Sequence, residues 1–164
     1  MMASKDAGES KVTHAEGQEF WGQLRLVSDA MLRVREKELR PFGDSAIQVA
    51  TLYCLRVMHE RSVKPTLSEI ARWLFREPSS TISLLNRMEQ QGLVKLVRNS
   101  TGKRQVLVET TEKGKEIYRR EAQKMHVNHR VLATLSPKER QQLKSILQKL
   151  RTKLFEELAE EPPY

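Results

Sequence analysis

The chain is 164 residues long, 38% hydrophobic, and carries 29 Lys and Arg against 21 Asp and Glu for a formal net charge of +8, a composition that suits one domain of ordinary size. No stretch approaches the roughly 20 apolar residues needed to span a bilayer, and the start from Met1 to Glu16 is small, polar and charged, so a soluble, unexported, cytoplasmic chain is expected. The single cysteine, Cys54, excludes an internal disulfide and fits a reducing compartment.

After the polar leader, Phe20, Leu24, Val27, Met31 and Val34 recur at three- and four-residue steps, which predicts an amphipathic helix ending near Pro41 and Gly43. Asp44 or Ser45 then serves as N-cap of a second helix. Its residues Ile47, Ala50, Leu52, Tyr53, Leu55, Val57 and Met58 are apolar nearly all round, the mark of a central, buried helix. Cys54 is expected to be buried on it. Thr66-Leu67-Ser68-Glu69 reads as a capping box opening a short helix with Leu67, Ile70, Ala71 and Leu74 inward. A break at Phe75-Arg76-Glu77 precedes a helix that opens with Pro78, whose missing N–H is harmless at the first helical position. Gly92 ends it.

From Leu93 the pattern changes to short β-branched and aliphatic runs, Val94, Leu96, Val97 and then Val106, Leu107, Val108. Asn99-Ser100-Thr101-Gly102 forms a turn between them, so a hairpin is predicted with Arg98, Lys103 and Arg104 on its rim. Thr111 caps a further helix through Gly114, Ile117, Tyr118, Ala122 and Met125 and beyond. Ser136-Pro137-Lys138-Glu139 is a second capping box. The final helix carries Leu143, Ile146, Leu147, Leu150, Leu154 and Leu158 as a lengthwise stripe suited to packing against partners. Glu160 to Tyr164 is expected to fray.

Charge is not spread evenly. Residues 61–120 hold 13 of the basic and 6 of the acidic groups, a concentration expected where one face meets phosphates. A solvated surface is the alternative.

The order of helices and hairpin is that of a winged helix-turn-helix, mainly α with a small β-hairpin wing. The sequence resembles the MarR family of regulators through Leu67-Ser68-Glu69-Ile70-Ala71, Ser80-Thr81-Ile82-Ser83-Leu84-Leu85-Asn86-Arg87-Met88-Glu89, Gly92-Leu93-Val94, Lys103-Arg104 and Thr111-Glu112-Lys113-Gly114. The likeness spans about Phe20 to Leu158, its specific motifs falling within residues 66–114. It implies a disordered leader over 1–16, a single domain over 17–160 and a tail over 161–164. Within the domain, 17–43 and 115–160 would be N- and C-terminal dimerisation helices and 44–114 the DNA-binding lobe.

It also implies a homodimer that binds a pseudopalindromic site on double-stranded DNA, and many relatives are repressors. Pro78 to Gln91 would be the recognition helix. Ile82, Leu85 and Met88 would turn to the core, leaving Ser79, Ser80, Ser83 and Arg87, with Arg76 beside them, toward the major groove. Arg87 is the one candidate for bidentate base reading, a phosphate clamp or salt bridge being the alternative; the serines suit phosphate contact or simply cap the helix. Lys103 and Arg104 would work from the wing, Arg104 matching the family arginine that enters the minor groove.

Two departures stand out. Leu84 replaces a residue often polar in relatives, which suggests an exposed side chain unless it packs beside the wing or meets a thymine methyl. Gly102 stands where an aspartate commonly steadies the wing arginine, which implies a more mobile wing.

Trp21, Leu24, Tyr53 and Tyr118 are candidates for a cleft that takes a small aromatic or phenolic effector, with simple core packing as the alternative. His126 and His129 lack a third ligand at metal spacing and are expected at the surface. Cys54 and His59 do not share a helix face, so no activated thiolate is expected. No catalytic motif, metal site or cofactor is expected. A protein-interaction module on the same scaffold is the alternative function.

Overall fold

The computed structural model describes residues 12–98, 106–124 and 126–160. Among these the order is α1 (His14–Leu39), a 3-10 turn (Arg40–Phe42), α2 (Ala46–Glu60), α3 (Leu67–Trp73), α4 (Pro78–Gln90), β1 (Val94–Arg98), β2 (Val106–Thr110), α5 (Glu112–Ala122), α6 (Val127–Leu132) and α7 (Pro137–Leu158). The expected turn at 99–102, with Gly102, Lys103 and Arg104, lies outside the described residues, as do Met125, the first 11 residues and the last four.

Local chemistry accounts for most boundaries. Ser45 is the N-cap of α2, reciprocated by Gln48 in a full capping box, and Ser136 with Glu139 does the same for α7 behind Pro137. Gly43 (φ 74°) and Gly92 (φ 71°) take the left-handed conformation that releases the chain from the 3-10 turn and from α4. At α3 only half of the expected box forms. Thr66 Oγ1 accepts the Glu69 amide at 3.2 Å, but the Glu69 carboxylate turns instead to Arg72 at 2.8 Å, and the Thr66 amide donates to the Lys64 carbonyl.

The helical domain begins earlier than expected, because Thr13 and Glu16 form a capping box that starts α1 inside the anticipated leader. A larger correction concerns the helix after the hairpin. It does not run on as one long helix but stops at Ala122 and restarts at Val127 with His126 as N-cap. The reason is a polar cluster that joins α1 to this corner. Arg35 donates to the Glu121 carboxylate at 2.7 Å and to His126 Nδ1 at 2.6 Å, and His126 Nε2 in turn donates to the Glu121 carbonyl at 2.5 Å. Glu38 accepts from Arg130 at 2.6 Å and from the Val127 amide at 3.3 Å. His126 is therefore buried rather than at the surface, while His129 stays exposed.

Burial by itself would raise the carboxyls of Glu121 and Glu38. Hydrogen bonds from Arg35 and Arg120 to the first, and from Arg130 and the Val127 amide to the second, outweigh it and hold both below the ordinary value of 4.5. A carboxyl depressed in the folded state adds stability that is complete above its unfolded value and lost as pH falls through its folded one. The melting temperature is thus expected to be level from about pH 7 to 5 and to drop by on the order of 5 °C near pH 3. Glu121→Gln should flatten that profile, and an unchanged profile would show that the cluster does not couple folding to protons.

The core lies in the middle of the chain. Leu52, Leu55 and Met58 of α2, Ile70 of α3, Leu84, Leu85 and Met88 of α4, and Val94 and Val108 of the hairpin form one buried cluster. Cys54 is buried within it, and burial, with the Glu69 charge adding, pushes its thiol up to about 12. A thiol in that state is a packing group rather than a nucleophile.

By contrast, α1 and α7 leave apolar faces open: Phe20, Trp21, Leu26 and Val27 on one, Ile146, Leu147, Leu154 and Leu158 on the other. On α7 it is Phe155 that is buried, its ring 5.6 Å from that of Phe75 in the turn between α3 and α4.

Candidate nucleic-acid interface

The helix that carries the candidate reading residues is held at both ends. Pro78 opens α4 behind Glu77, whose side chain makes no capping bond. At the far end Gln48 Nε2 donates to Gln91 Oε1 and Lys113 Nζ donates to the Gln91 carbonyl at 2.8 Å. Its inward stripe is Thr81, Leu84, Leu85 and Met88, with Ile82 only half-buried at the margin. Leu84 is 3% exposed, so it neither projects into solvent nor reaches for a base; it belongs to the core and forms the floor of the face above it.

That face is a shallow groove of about 480 Å3 lined by Arg76, Ser79, Ser80, Ser83, Leu84 and Arg87. Five of these six are the residues singled out from the sequence on α4 and the turn before it. The two arginines flank three hydroxyls over an apolar floor, and among the described residues neither guanidinium is paired with a carboxylate. Ser83 donates its hydroxyl to the Ser79 carbonyl at 2.9 Å, which leaves its oxygen free to accept. The arrangement can receive phosphate oxygens or the edges of bases, with positive charge at both ends and no acid between.

β1 and β2 form an antiparallel pair from Val94 opposite Thr110 to Arg98 opposite Val106. The base of this hairpin is anchored on both edges. Val108 donates to the Pro65 carbonyl at 2.9 Å, and Leu107 bridges to Thr66. The Leu96 amide donates to Glu89 Oε1 at 2.6 Å on the other side. Thr111 then ties the hairpin exit to the end of α4, its hydroxyl donating to the Gly92 carbonyl at 2.6 Å.

The candidate effector residues divide into two groups. Tyr53 and Tyr118 stack with ring centroids 6.4 Å apart. Trp21 and Leu24 stand on α1, 62% and 37% exposed, and among the described residues no ring contact joins Trp21 to the tyrosines. Sequence reasoning missed Arg56, whose Nη1 donates to the Tyr118 hydroxyl at 2.5 Å and whose guanidinium lies 4.8 Å from the centre of that ring. Its spacing of three from Tyr53 on α2 was the available signal. Among the described residues no cluster of three metal-ligating side chains occurs, and no helix is long and apolar enough to cross a membrane.

Residues 45–114 match the family model of the winged helix DNA-binding domain. YfiV of Bacillus subtilis, an HTH-type transcriptional regulator, is 38% identical over 76 residues, which is 46% of this chain and 48% of that protein. The chain thus matches about half the length of that curated relative. The fold is similar to that of a mutant of E. coli MarR complexed with operator DNA, with a TM-score of 0.71 and 22% identity over 85% of this chain and 99% of the other. It is also similar to S. aureus MepR in a DNA complex, TM-score 0.69 and 21% identity over 82% and 97%. The organohalide-sensing regulator RdhR in its 2,4-dichlorophenol-bound form gives a TM-score of 0.68 and 21% identity over 88% and 86%.

Proposed function

From the premise that residues 45–114 are a winged helix DNA-binding domain set within the MarR fold, we propose that this chain is a transcriptional regulator that binds double-stranded DNA as a homodimer. The observation that carries the reading is the α4 groove, in which Arg76, Ser79, Ser80, Ser83 and Arg87 share one open face. Two such helices related by a twofold axis and roughly 34–36 Å apart would enter successive major grooves of a pseudopalindrome. The hairpins would reach the flanking minor grooves, Lys103 and Arg104 supplying the contacts there. Occupancy of a site overlapping a promoter would repress.

The test is a gel shift and footprint on the DNA upstream of the chain's own gene, repeated over a salt series. Affinity should fall steeply with salt, and protection should be symmetric about a dyad. Arg87→Ala should weaken binding by about tenfold or more and relax base preference at one position per half-site. A uniform loss over all sequences would make Arg87 a phosphate clamp. Failure to shift any duplex even in dilute buffer would favour the protein-interaction module instead.

The stacked pair Tyr53 and Tyr118, with Arg56 across the second ring, is the proposed seat of a small aromatic or phenolic effector. Such a ligand relieves repression only by binding one lobe arrangement more tightly than the DNA-bound one.

A further inference from the structure

Glu89 is the penultimate residue of the recognition helix, and it sends its carboxylate to the wing: Oε1 accepts the Leu96 amide at 2.6 Å. Leu96 is the middle residue of β1, opposite Val108 in the register. Val108 and Leu107 are held to Pro65 and Thr66 on the far edge of the hairpin. Among the described residues, the near edge meets α4 through a charge-assisted hydrogen bond from a helix side chain to a strand amide, the stronger class of such bonds. With both edges pinned, the hairpin cannot roll about its base relative to α4.

We infer that Glu89 is a positioning residue for DNA recognition, fixing the angle at which the wing leaves the recognition helix so that both elements engage one duplex at once. The inference rests on the DNA-binding reading above. It has a sign that charge alone does not share. Removing a carboxylate from a helix that meets phosphates should, by electrostatics, tighten binding; removing a strut that aims the wing should weaken it.

Two variants separate these effects. Glu89→Ala deletes the acceptor and the charge together, whereas Glu89→Gln deletes the charge and keeps an oxygen in place. Fluorescence anisotropy with the footprinted duplex at two salt concentrations should show Glu89→Ala binding about fivefold more weakly and with a shallower salt dependence, as wing contacts are lost. Glu89→Gln should bind at least as tightly as the parent. Hydrogen exchange should report faster exchange of the Leu96 amide in Glu89→Ala, with the amides of α2 and α4 unchanged. Glu89→Ala binding as tightly as the parent, Glu89→Gln losing as much as Glu89→Ala, or an unaltered Leu96 amide would each overturn the inference. A parent that shifts no duplex would instead sink the DNA-binding reading itself, with Leu96 exchange still deciding whether the strut exists.

Discussion

Gly114→Ala should lower the stability of the DNA-binding lobe by about 3 kcal/mol, although the position lies in the first turn of a helix where alanine is the better helix former. Helix propensity alone would favour alanine by about 1 kcal/mol. The opposing geometry is severe. A Cβ at Gly114 would stand 2.3 Å from the Leu93 carbonyl oxygen, 2.9 Å from Thr110 Cγ2 and 3.1 Å from Leu52 Cδ2. The first of these is backbone and cannot swing aside. It is also already engaged, accepting the Thr111 amide at 3.1 Å and the Thr111 hydroxyl at 3.0 Å.

Relief requires α5 to lift from the end of α4, which would loosen the cap on α5 and the Gly92 turn together. Denaturant unfolding at fixed protein concentration should show a lower midpoint with an unchanged slope. Gly17→Ala, in α1 where an added Cβ meets nothing within 4 Å, supplies the contrast, with a gain of up to about 1 kcal/mol. Equal stability of Gly114→Ala and parent would mean that the tight approach of Leu93 to α5 is not real.

The same corner shows what sequence can reveal. Ser45, Thr66, Thr111 and Ser136 were all readable as caps, and Pro78 and Gly92 as punctuation, because each acts on backbone within four residues of itself. The polar cluster was not readable for the opposite reason. Arg35 meets Glu121 and His126 across 86 and 91 residues of chain, and nothing local marks such partners. No proline or glycine interrupts the stretch from Lys115 to Leu135, so periodicity carried the expected helix straight through the point where His126 turns inward. The half-formed box at Thr66 has a local origin instead: Arg72, one turn on, competes for the Glu69 carboxylate.

The candidate site was legible in outline and misread in one detail. At about 100° per residue, Thr81, Leu84, Leu85 and Met88 fall on one arc of α4, and Ile82 falls beside it. Reading every third residue from Ile82 instead let the stripe drift and pushed Leu84 outward. The serines and Arg87 lie opposite that arc on either reading, which is why their grouping in the groove agrees with expectation. Arg56 and Glu89 escaped notice because their partners, Tyr118 and the Leu96 amide, come from other elements.

Replacing Leu147 and Leu154 together by Asp should abolish pairing and reduce affinity for a full two-half-site duplex by about 10²- to 10⁴-fold. Both leucines are half-exposed on the same stripe of α7, with Ile146 and Leu158 beside them, while Phe20, Trp21 and Val27 leave a comparable face open on α1. Open apolar surface of this kind is what the proposed dimer would bury. Two carboxylates placed in its centre would have to be desolvated without partners for the pair to form.

The effect on DNA follows from geometry rather than from any change in the reading face. On the proposed reading, one lobe would bring a single α4 groove and hairpin to the duplex, and linking two would make the second engagement intramolecular. The variant should therefore sediment as a monomer and bind a single half-site as the parent lobe does. Because about half as many phosphates are neutralised, the salt slope on the full site should fall to roughly half. A variant that remains dimeric would place the interface elsewhere, and a monomer that holds the full site as tightly as the parent would show that pairing contributes nothing to recognition.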